Sequence, residues 1–255
     1  MTNSAVIIGH GPVHVIALHG WFGDAQGWGN FPALIDGEAS TWAFVNYRGY
    51  GERRGEPGEY TMAEISADVL ELADSLQWKD FALVGHSMGG KAIQRVYADA
   101  PDRVKVLIGI SPIHASAFPF DDDGWALFDG AAESDDKRFA IIDFTTGNRN
   151  SATWVRKMAR YSVEASTREA FAAYLPAWGK VDFEADIPRD NQPPVHVIVG
   201  AHDPALSADF VRSSWLQTYP GATLDELPNA GHYPTWETPV ALLTSIEKAL
   251  GLFVS

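Results

Sequence analysis

Short runs of apolar and β-branched residues recur along the chain, and glycine, proline or polar residues bound each run. Such runs are typical of strands that are buried on both faces of a sheet, as parallel strands are. The runs that predict strands lie at residues 5–8, 13–18, 41–46, 81–84, 104–110, 195–200 and 223–227. We therefore expect a sheet of at most seven strands.

Apolar residues recur at helical spacing between several of these runs. The stretch 62–76 is one example, with Ile65 and Val69 on one face of a predicted helix. Thr61 precedes that stretch and is placed to cap the helix. Further helices are predicted near residues 91–97, 206–218 and 236–250. Strands that alternate with helices predict an α/β fold with a mostly parallel sheet and right-handed crossovers.

One long stretch breaks this alternation. Residues 113–188 contain several short helical patterns but no pattern typical of a buried strand. The helices predicted there lie at residues 125–132, 137–144, 152–161 and 167–175. Roughly 75 residues between two neighbouring strands is far more than a connection requires. We therefore expect a core of residues 1–112 and 189–255, and a helical cap of residues 113–188 over the carboxyl edge of the sheet.

The turn after the strand at 81–84 carries the first candidate for chemistry. Residues 85–90 read Gly-His-Ser-Met-Gly-Gly, between that strand and a helical pattern. A serine in such a strand-to-helix turn fits the nucleophile elbow G-x-S-x-G, in which larger residues at the glycine positions would collide with the strand and helix. The pattern predicts Ser87 as a nucleophile. It also leaves the Met88 N–H free, at the start of the helix, to face a developing negative charge.

A serine hydroxyl needs a base to take its proton, and a base of this kind needs an orienting carboxylate. Among the eight histidines, His232 lies in a loop after the last strand, at the same sheet edge as Ser87. His202 is the one serious rival, because it also lies in a sheet-edge loop. Asp203, just past the strand at 195–200, is the expected carboxylate. The chain order Ser87, Asp203, His232 is the order found with a G-x-S-x-G turn.

The loop after the strand at 13–18 is expected to complete an oxyanion hole. It reads His-Gly-Trp-Phe-Gly over residues 19–23. The Met88 N–H supplies one donor, and the second is expected from the N–H of Trp21, with Phe22 as the alternative. Each such donor stabilises the transition state by about 3 kcal/mol.

Together these motifs resemble the α/β-hydrolase family along almost the whole chain. The resemblance depends on His19-Gly20, the turn at 85–89, Gly200 with Asp203, and Gly231-His232. The run Gly-His-Ser-Met-Gly-Gly-Lys is most similar to small carboxylesterases of the family, although its meta-cleavage C–C hydrolases have similar turns. The chain departs from the family in two places. Members usually have a β-hairpin before the strand at 13–18, whereas this chain has only one strand-like run there, at residues 5–8. In addition, Asn46 and Arg53 stand where the family often has Asp and Ser.

The net charge and the composition limit which classes of partner and which kinds of site the protein can have. The net charge of −14 and pI near 4.8 disfavour nucleic acid and anionic membranes, which require a positive face. The absence of cysteine excludes thiol catalysis, zinc–thiolate sites and disulfides. The longest apolar run near the N-terminus, Val13–Leu18, is far below the ~18 residues of a membrane span, so we expect a cytoplasmic protein. The acidic triplet 121–123 is expected to be a solvated tip of the cap rather than a metal site.

The resemblance implies a serine hydrolase that acts on a small to medium, partly apolar carboxylic ester, with no cofactor and no metal. In this interpretation Ser87 attacks, His232 moves the proton and Asp203 orients His232. A C–C hydrolase, a thioesterase, a lactonase or an acyltransferase would use the same triad. A ligand-binding module without catalysis is the alternative from another class. The expected partner is the small-molecule substrate, and the sequence does not determine the oligomeric state.

Overall fold

A computed structural model describes residues 5–252, and its centre is one sheet of seven strands. The strands are β1 (Ala5–Gly9), β2 (Val13–Leu18), β3 (Ser40–Val45), β4 (Phe81–His86), β5 (Val104–Ile110), β6 (Val195–Gly200) and β7 (Thr223–Leu227). Their order across the sheet is β1-β3-β2-β4-β5-β6-β7. Strand β1 is antiparallel to β3, and the other neighbouring strands are parallel. The predicted mostly parallel α/β sheet is confirmed.

Ten α-helices accompany the sheet within the part of the chain that the structure describes. They are α1 (Met62–Ser75), α2 (Met88–Asp99), α3 (Asp122–Asp129), α4 (Asp135–Thr145), α5 (Ala152–Ala165), α6 (Arg168–Gly179), α7 (Ala208–Ser213), α8 (Trp215–Thr218), α9 (Pro234–Glu237) and α10 (Pro239–Leu250). None of the helices in residues 5–252 has both the length and the apolar composition needed to cross a membrane.

The sheet separates two apolar layers, because successive residues of a strand point to opposite faces. In β2, Ile16 and Leu18 belong to the layer that also contains buried residues of α1 and α2. Val15 and Ala17 belong to the other layer, which contains Leu242 of α10. Both faces of the central strands are therefore covered, which explains their nearly continuous apolar sequences.

Strand β4 extends two residues beyond the predicted run at 81–84. Gly85 and His86 still pair with β5, opposite Gly109 and Ile110. The apolar pattern did not reveal this extension, because neither glycine nor histidine is typical of a buried strand. As a result Ser87 comes directly after the last paired residue, at the carboxyl edge of the sheet.

Two predicted helices are each divided in the structure. The stretch 206–218 forms α7 and α8, with Ser214 between them in a non-helical conformation. The stretch 236–250 was expected to be one helix, but Thr238 (φ −144°, ψ 55°) separates α9 from α10. Pro239 follows Thr238, and a proline disfavours the helical conformation of the residue before it. The predicted cap of α1 is confirmed, since the Thr61 hydroxyl accepts a hydrogen bond from the Glu64 N–H.

Residues 113–188 form an inserted segment between β5 and β6 that contains α3 to α6 and no strand of the sheet. The acidic triplet is exposed, as expected, but it starts a helix. Asp121 caps α3 by accepting from the Gly124 N–H, and Asp122 and Asp123 occupy the first turn, where negative charge is favourable. That the inserted segment is a separate cap domain stays a prediction.

A buried lysine ties the start and the end of the inserted segment to the core. Lys91 of α2 is fully buried. Its ammonium donates to the carbonyls of Ser116 (2.9 Å), Trp178 (3.0 Å) and Val181. A buried charge is tolerated when its donors are used in this way, and the three carbonyls are in turn satisfied by one cation.

Replacing Lys91 with methionine is expected to lower the free energy of unfolding by about 3 kcal/mol, because the carbonyls lose a charged donor in a buried place. Urea unfolding followed by circular dichroism measures this. Lys105→Met is the control, since that side chain is 58% exposed and lies 3.9 Å from Asp80. Equal unfolding midpoints for the two variants would contradict the role given to Lys91.

Candidate active site

The turn between β4 and α2 holds Ser87 in a strained main-chain conformation. Its φ of +54° and ψ of −118° lie in a region that residues with side chains rarely adopt. The two glycines of the motif make the turn possible, because main-chain segments meet there. A side chain at Gly85 would collide with the main chain of Gly89, and one at Gly89 would collide with the carbonyl of Leu18.

Main-chain hydrogen bonds on both sides of Ser87 hold the strained turn in place. The Ser87 N–H donates to the Ile110 carbonyl at the end of β5 (3.0 Å). The Ser87 carbonyl accepts from the N–H groups of Gly90 (2.8 Å) and Ile113 (3.0 Å). The strain is therefore balanced by bonds to three parts of the fold, and the hydroxyl is kept at the sheet edge.

The predicted base and carboxylate are in direct contact. The His232 Nδ1–H donates to Asp203 Oδ2 at 2.6 Å, and both residues are buried. The other carboxylate oxygen, Asp203 Oδ1, accepts from the N–H groups of Ala205 (3.0 Å) and Leu206 (3.1 Å). Asp203 is thus held on both oxygens, so that it fixes which nitrogen of His232 carries the proton and how the ring is turned.

The main chain of His232 is held as firmly as its ring. Its N–H donates to the carbonyl of Thr145, the last residue of α4 (3.0 Å). Its carbonyl accepts from His86 Nε2 (2.7 Å), which fixes a proton on that nitrogen. Burial lowers the pKa of His86 to about 3, so its ring is neutral. The motif gave the His86 side chain no role, but in the structure that side chain bonds to the main chain of His232 and lines the cavity at Ser87.

One atom of His232 is left for chemistry. Its Nε2 has no hydrogen-bond partner among residues 5–252, and the Ser87 hydroxyl has none there either. Ser87 and His232 line the same cavity. The rival base His202 is exposed and does not line that cavity, and its N–H donates to the Ala230 carbonyl. The structure brings Ser87, His232 and Asp203 to one sheet edge and leaves His202 outside.

The loop after β2 passes directly against Ser87. A Cβ atom on Gly20 would lie 3.1 Å from that of Ser87. The N–H groups of Trp21, Phe22 and Met88 have no acceptor in the described part of the chain. Free N–H groups beside a serine are what an oxyanion hole requires.

Buried aromatic residues fix this loop. The Trp21 carbonyl accepts from the Tyr50 hydroxyl (2.9 Å), and the Trp21 indole donates to the Phe171 carbonyl (2.7 Å). The Tyr47 hydroxyl donates to the His19 carbonyl (2.9 Å). Burial lowers the pKa of His19 to about 4, so this ring is also neutral. Hydrogen bonds and packing therefore hold the loop, and the His19 ring contributes no charge to it.

Two cavities meet at Ser87. The apolar lobe is lined mostly by apolar side chains, and the loop-side lobe lies beside the loop after β2. Both are lined by Trp21, Phe22, Ser87, His232 and Tyr233. Side chains found only in the apolar lobe include Ile113, Phe118, Phe128, Ile141, Trp178 and Leu206. Side chains found only in the loop-side lobe include His19, Trp28, His86, Met158, Tyr161 and Thr235.

The two residues that depart from the family pattern form a buried network away from Ser87. Asn46 Oδ1 accepts from the Ala25 N–H (3.0 Å). The Arg53 guanidinium donates to Asp68 and Glu56, each at 2.8 Å. Neither Asn46 nor Arg53 lines the cavities at Ser87.

Comparison with known families agrees with this geometry. The model of the alpha/beta hydrolase family matches residues 15–244. The chain belongs to the α/β-hydrolase family. The resemblance inferred from the four motifs is confirmed, and with it the fold class.

Several known proteins are similar to this chain. The esterase YbfF of Escherichia coli (strain K12) is 24% identical over 244 residues, which cover 94% of each protein. A serine hydrolase-like protein of Danio rerio is 34% identical over 105 residues, and the match spans only 31% of that protein and 38% of this chain. The structure of an esterase from Exiguobacterium antarcticum has a TM-score of 0.85 at 17% identity, covering 97% of this chain and 94% of that one. At that identity the likeness shows the fold.

Gly89→Ala is expected to lower the free energy of unfolding by about 3 kcal/mol or to prevent folding, because the added methyl group meets main-chain atoms that cannot move aside. Gly55→Ala is the matched control, since a Cβ atom there has no heavy atom within 4 Å in the described structure. Thermal unfolding by circular dichroism compares the two variants. Equal stabilities would show that the packing at the elbow is looser than inferred.

Proposed function

We propose that this protein is a serine hydrolase that cleaves small to medium, partly apolar carboxylic esters. The observation that carries the proposal is the geometry of His232. Its Nδ1 is bonded to a buried carboxylate, and its free Nε2 shares a cavity with the strained Ser87. Membership of the α/β-hydrolase family and similarity to esterases support the same reaction class.

In the first half of the proposed reaction, Ser87 Oγ attacks the carbonyl carbon of the ester while His232 Nε2 takes the hydroxyl proton. The negative oxygen that forms is held by the N–H groups of Met88 and Trp21. Asp203 stabilises the imidazolium. When the tetrahedral intermediate collapses, Nε2–H returns the proton to the alkoxide, the alcohol leaves, and the acyl group stays on Ser87. The hydroxyl and the imidazole need no hydrogen bond before substrate binds, since such bonds often tighten only in the complex.

Water completes the cycle. His232 Nε2 takes a proton from a water molecule, whose oxygen attacks the acyl carbon of the ester on Ser87. The second tetrahedral intermediate uses the same two N–H groups. Its collapse breaks the bond to Ser87 Oγ, which receives the proton from His232. The carboxylic acid leaves, and the enzyme returns to its starting state.

Trp21 is the proposed second donor because both ends of the residue are anchored. Its carbonyl and its indole are hydrogen-bonded, so the direction of the main chain at Trp21 is fixed. A fixed donor costs no reorganisation when charge develops. The N–H of Phe22 is also unpaired within residues 5–252 and stays the alternative.

The inserted segment is proposed to act as a cap that limits substrate size. Phe128, Ile141 and Trp178 of this segment line the apolar lobe, opposite core residues such as Leu206. The apolar lining of this lobe suits an apolar group, because apolar surfaces bind most of a ligand's area in such pockets. We assign the apolar portion of the ester to this lobe and the other portion to the loop-side lobe.

The reaction is tested by assaying p-nitrophenyl esters of increasing acyl length and by labelling with a fluorophosphonate probe. The wild-type protein is expected to release p-nitrophenol and to carry the label on Ser87. Ser87→Ala and His232→Ala should each lose about 10⁴-fold or more in kcat. His202→Ala is the matched control and should keep its activity. A folded wild-type protein that neither cleaves an ester nor takes the label would overturn the proposal.

The same panel separates the alternatives that share the triad. The protein could be labelled on Ser87 but cleave only thioesters, lactones or C–C bonds of meta-cleavage products. That result would support Ser87 as the nucleophile and contradict the assignment of esters as substrates. Transfer of the acyl group to an added alcohol in preference to water would identify an acyltransferase. Binding of esters without labelling or turnover would identify a ligand-binding module.

Phe128→Ala is expected to enlarge the apolar lobe and to shift activity toward longer esters. The ratio of kcat/KM for a long ester to that for acetate should rise by about tenfold, since a methylene or two in an apolar pocket is worth about that factor. Phe144→Ala is the control, because that side chain belongs to the same segment but is 45% exposed and lines neither lobe. An unchanged ratio in Phe128→Ala would place the apolar group elsewhere.

A further inference from the structure

The main chain on both sides of His232 is bonded to one carboxylate oxygen. Glu237, the last residue of the short helix α9, turns its side chain back toward the loop. Its Oε1 accepts from the Gly231 N–H at 3.0 Å and from the Tyr233 N–H at 3.1 Å. These two N–H groups directly precede and follow His232, so one atom fixes the path of the chain through that residue.

The second oxygen of the same carboxylate is held from the inserted segment. Glu237 Oε2 accepts from the Arg149 guanidinium at 2.8 Å and from the Asn150 side-chain amide at 3.2 Å. Arg149 also donates to the carbonyl of Asn229, which lies in the His232 loop (3.0 Å). The carboxylate therefore bridges the His232 loop and the loop that follows α4.

These contacts are close-packed as well as polar. The Glu237 side chain is only 6% exposed, and a carboxylate in such a place is stable only when its oxygens are paired. A Cβ atom on Gly231 would lie 2.6 Å from the Cα atom of Thr146. The inserted segment thus rests directly on the His232 loop, with no space for the loop to shift toward it.

Helix α9 alone cannot hold the His232 loop in place. Helix α9 has four residues, and Pro239, placed just after it, prevents it from continuing into α10. A helix of one turn has few internal hydrogen bonds and gains its order from its surroundings. The four donors on Glu237 supply that order at the point where His232 needs it.

We propose that Glu237 is a positioning residue for His232, and this inference rests on the proposed role of His232 as the base. Glu237 touches neither the serine nor the cavity. It acts by holding Gly231 and Tyr233, so that Nδ1 of His232 meets Asp203 and Nε2 faces Ser87. Through Arg149 and Asn150, the inserted segment becomes part of the same positioning system.

The proposal is tested by kinetics on three Glu237-network variants. Glu237→Ala removes all four contacts and should lower kcat by about 10- to 100-fold, because a displacement of about 1 Å can cost 10²-fold in rate. The fall in kcat should exceed any change in KM, since Glu237 itself lines neither lobe and the one lobe residue that it holds, Tyr233, keeps its side chain. Glu237→Gln keeps an oxygen that accepts from both main-chain N–H groups, and should regain kcat to within about threefold of wild type. Arg149→Met keeps the Oε1 bonds and should lie between the two.

A second readout separates positioning from general stability and needs no substrate. The proton between His232 Nδ1 and Asp203 gives a low-field proton NMR signal, because it lies in a short hydrogen bond of 2.6 Å. The signal should shift or broaden in Glu237→Ala and return in Glu237→Gln. Glu184→Ala is the control. That carboxylate also pairs with an arginine (Arg189, 3.0 Å) and a hydroxyl (Thr218, 2.7 Å), but it lies outside both lobes.

Each outcome decides the proposal. A lowered kcat and an altered signal in Glu237→Ala, with both restored in Glu237→Gln and unchanged in Glu184→Ala, support it. A Glu237→Ala protein that unfolds more easily but keeps its kcat and its signal overturns it. If Glu237→Ala does not fold, wild-type kcat and signal in Arg149→Met overturn the part assigned to the inserted segment. If the wild type cleaves no ester, the signal alone still tests Glu237, and only the proposed function fails.

Discussion

The close approach of main-chain segments at Gly85 and Gly89 is the constraint on which the site depends. Strand β2, strand β4 and helix α2 come so near to one another that no side chain fits at either glycine. This approach forces Ser87 into its strained conformation and brings the loop after β2 against it. The conformation of Ser87 and the position of the free N–H groups beside it therefore follow from one packing arrangement and depend on the sheet.

Two buried carboxylates hold His232, one through its ring and the other through the main chain on either side of it. Asp203 binds the imidazole and uses its second oxygen on main-chain N–H groups of its own loop. Glu237 binds the main chain beside His232 and uses its second oxygen on the inserted segment. In both cases a buried charge is satisfied by N–H donors. The only unengaged nitrogen of His232 among the described residues is the one that faces the cavity.

How well the sequence predicted a feature of this structure depends on how far apart in the sequence the contacting residues lie. The central strands and the turn at Ser87 were predicted because apolar runs and a glycine-bounded serine are local signals. Asp203 and His232 were predicted because parallel strands bring their carboxyl ends to one edge. The bond from the His86 side chain to His232, the bonds of Glu237 to Arg149 and Asn150, and the three carbonyls on Lys91 join residues far apart in the sequence. No local pattern announces them, although Glu237 lies only five positions after His232.

The inserted segment is joined to the core at two places that differ in consequence. At Lys91 its start and end are fixed by a single cation on the helix that begins after Ser87. At Glu237 the loop after α4 is fixed to the loop of His232. The same segment supplies Phe128 and Trp178 to the apolar lobe. In the proposed function, a substrate group in this lobe therefore contacts a segment that is bonded both to the helix after Ser87 and to the loop of His232. Under that proposal, the size of the substrate and the alignment of Ser87 with His232 both depend on the packing of one segment.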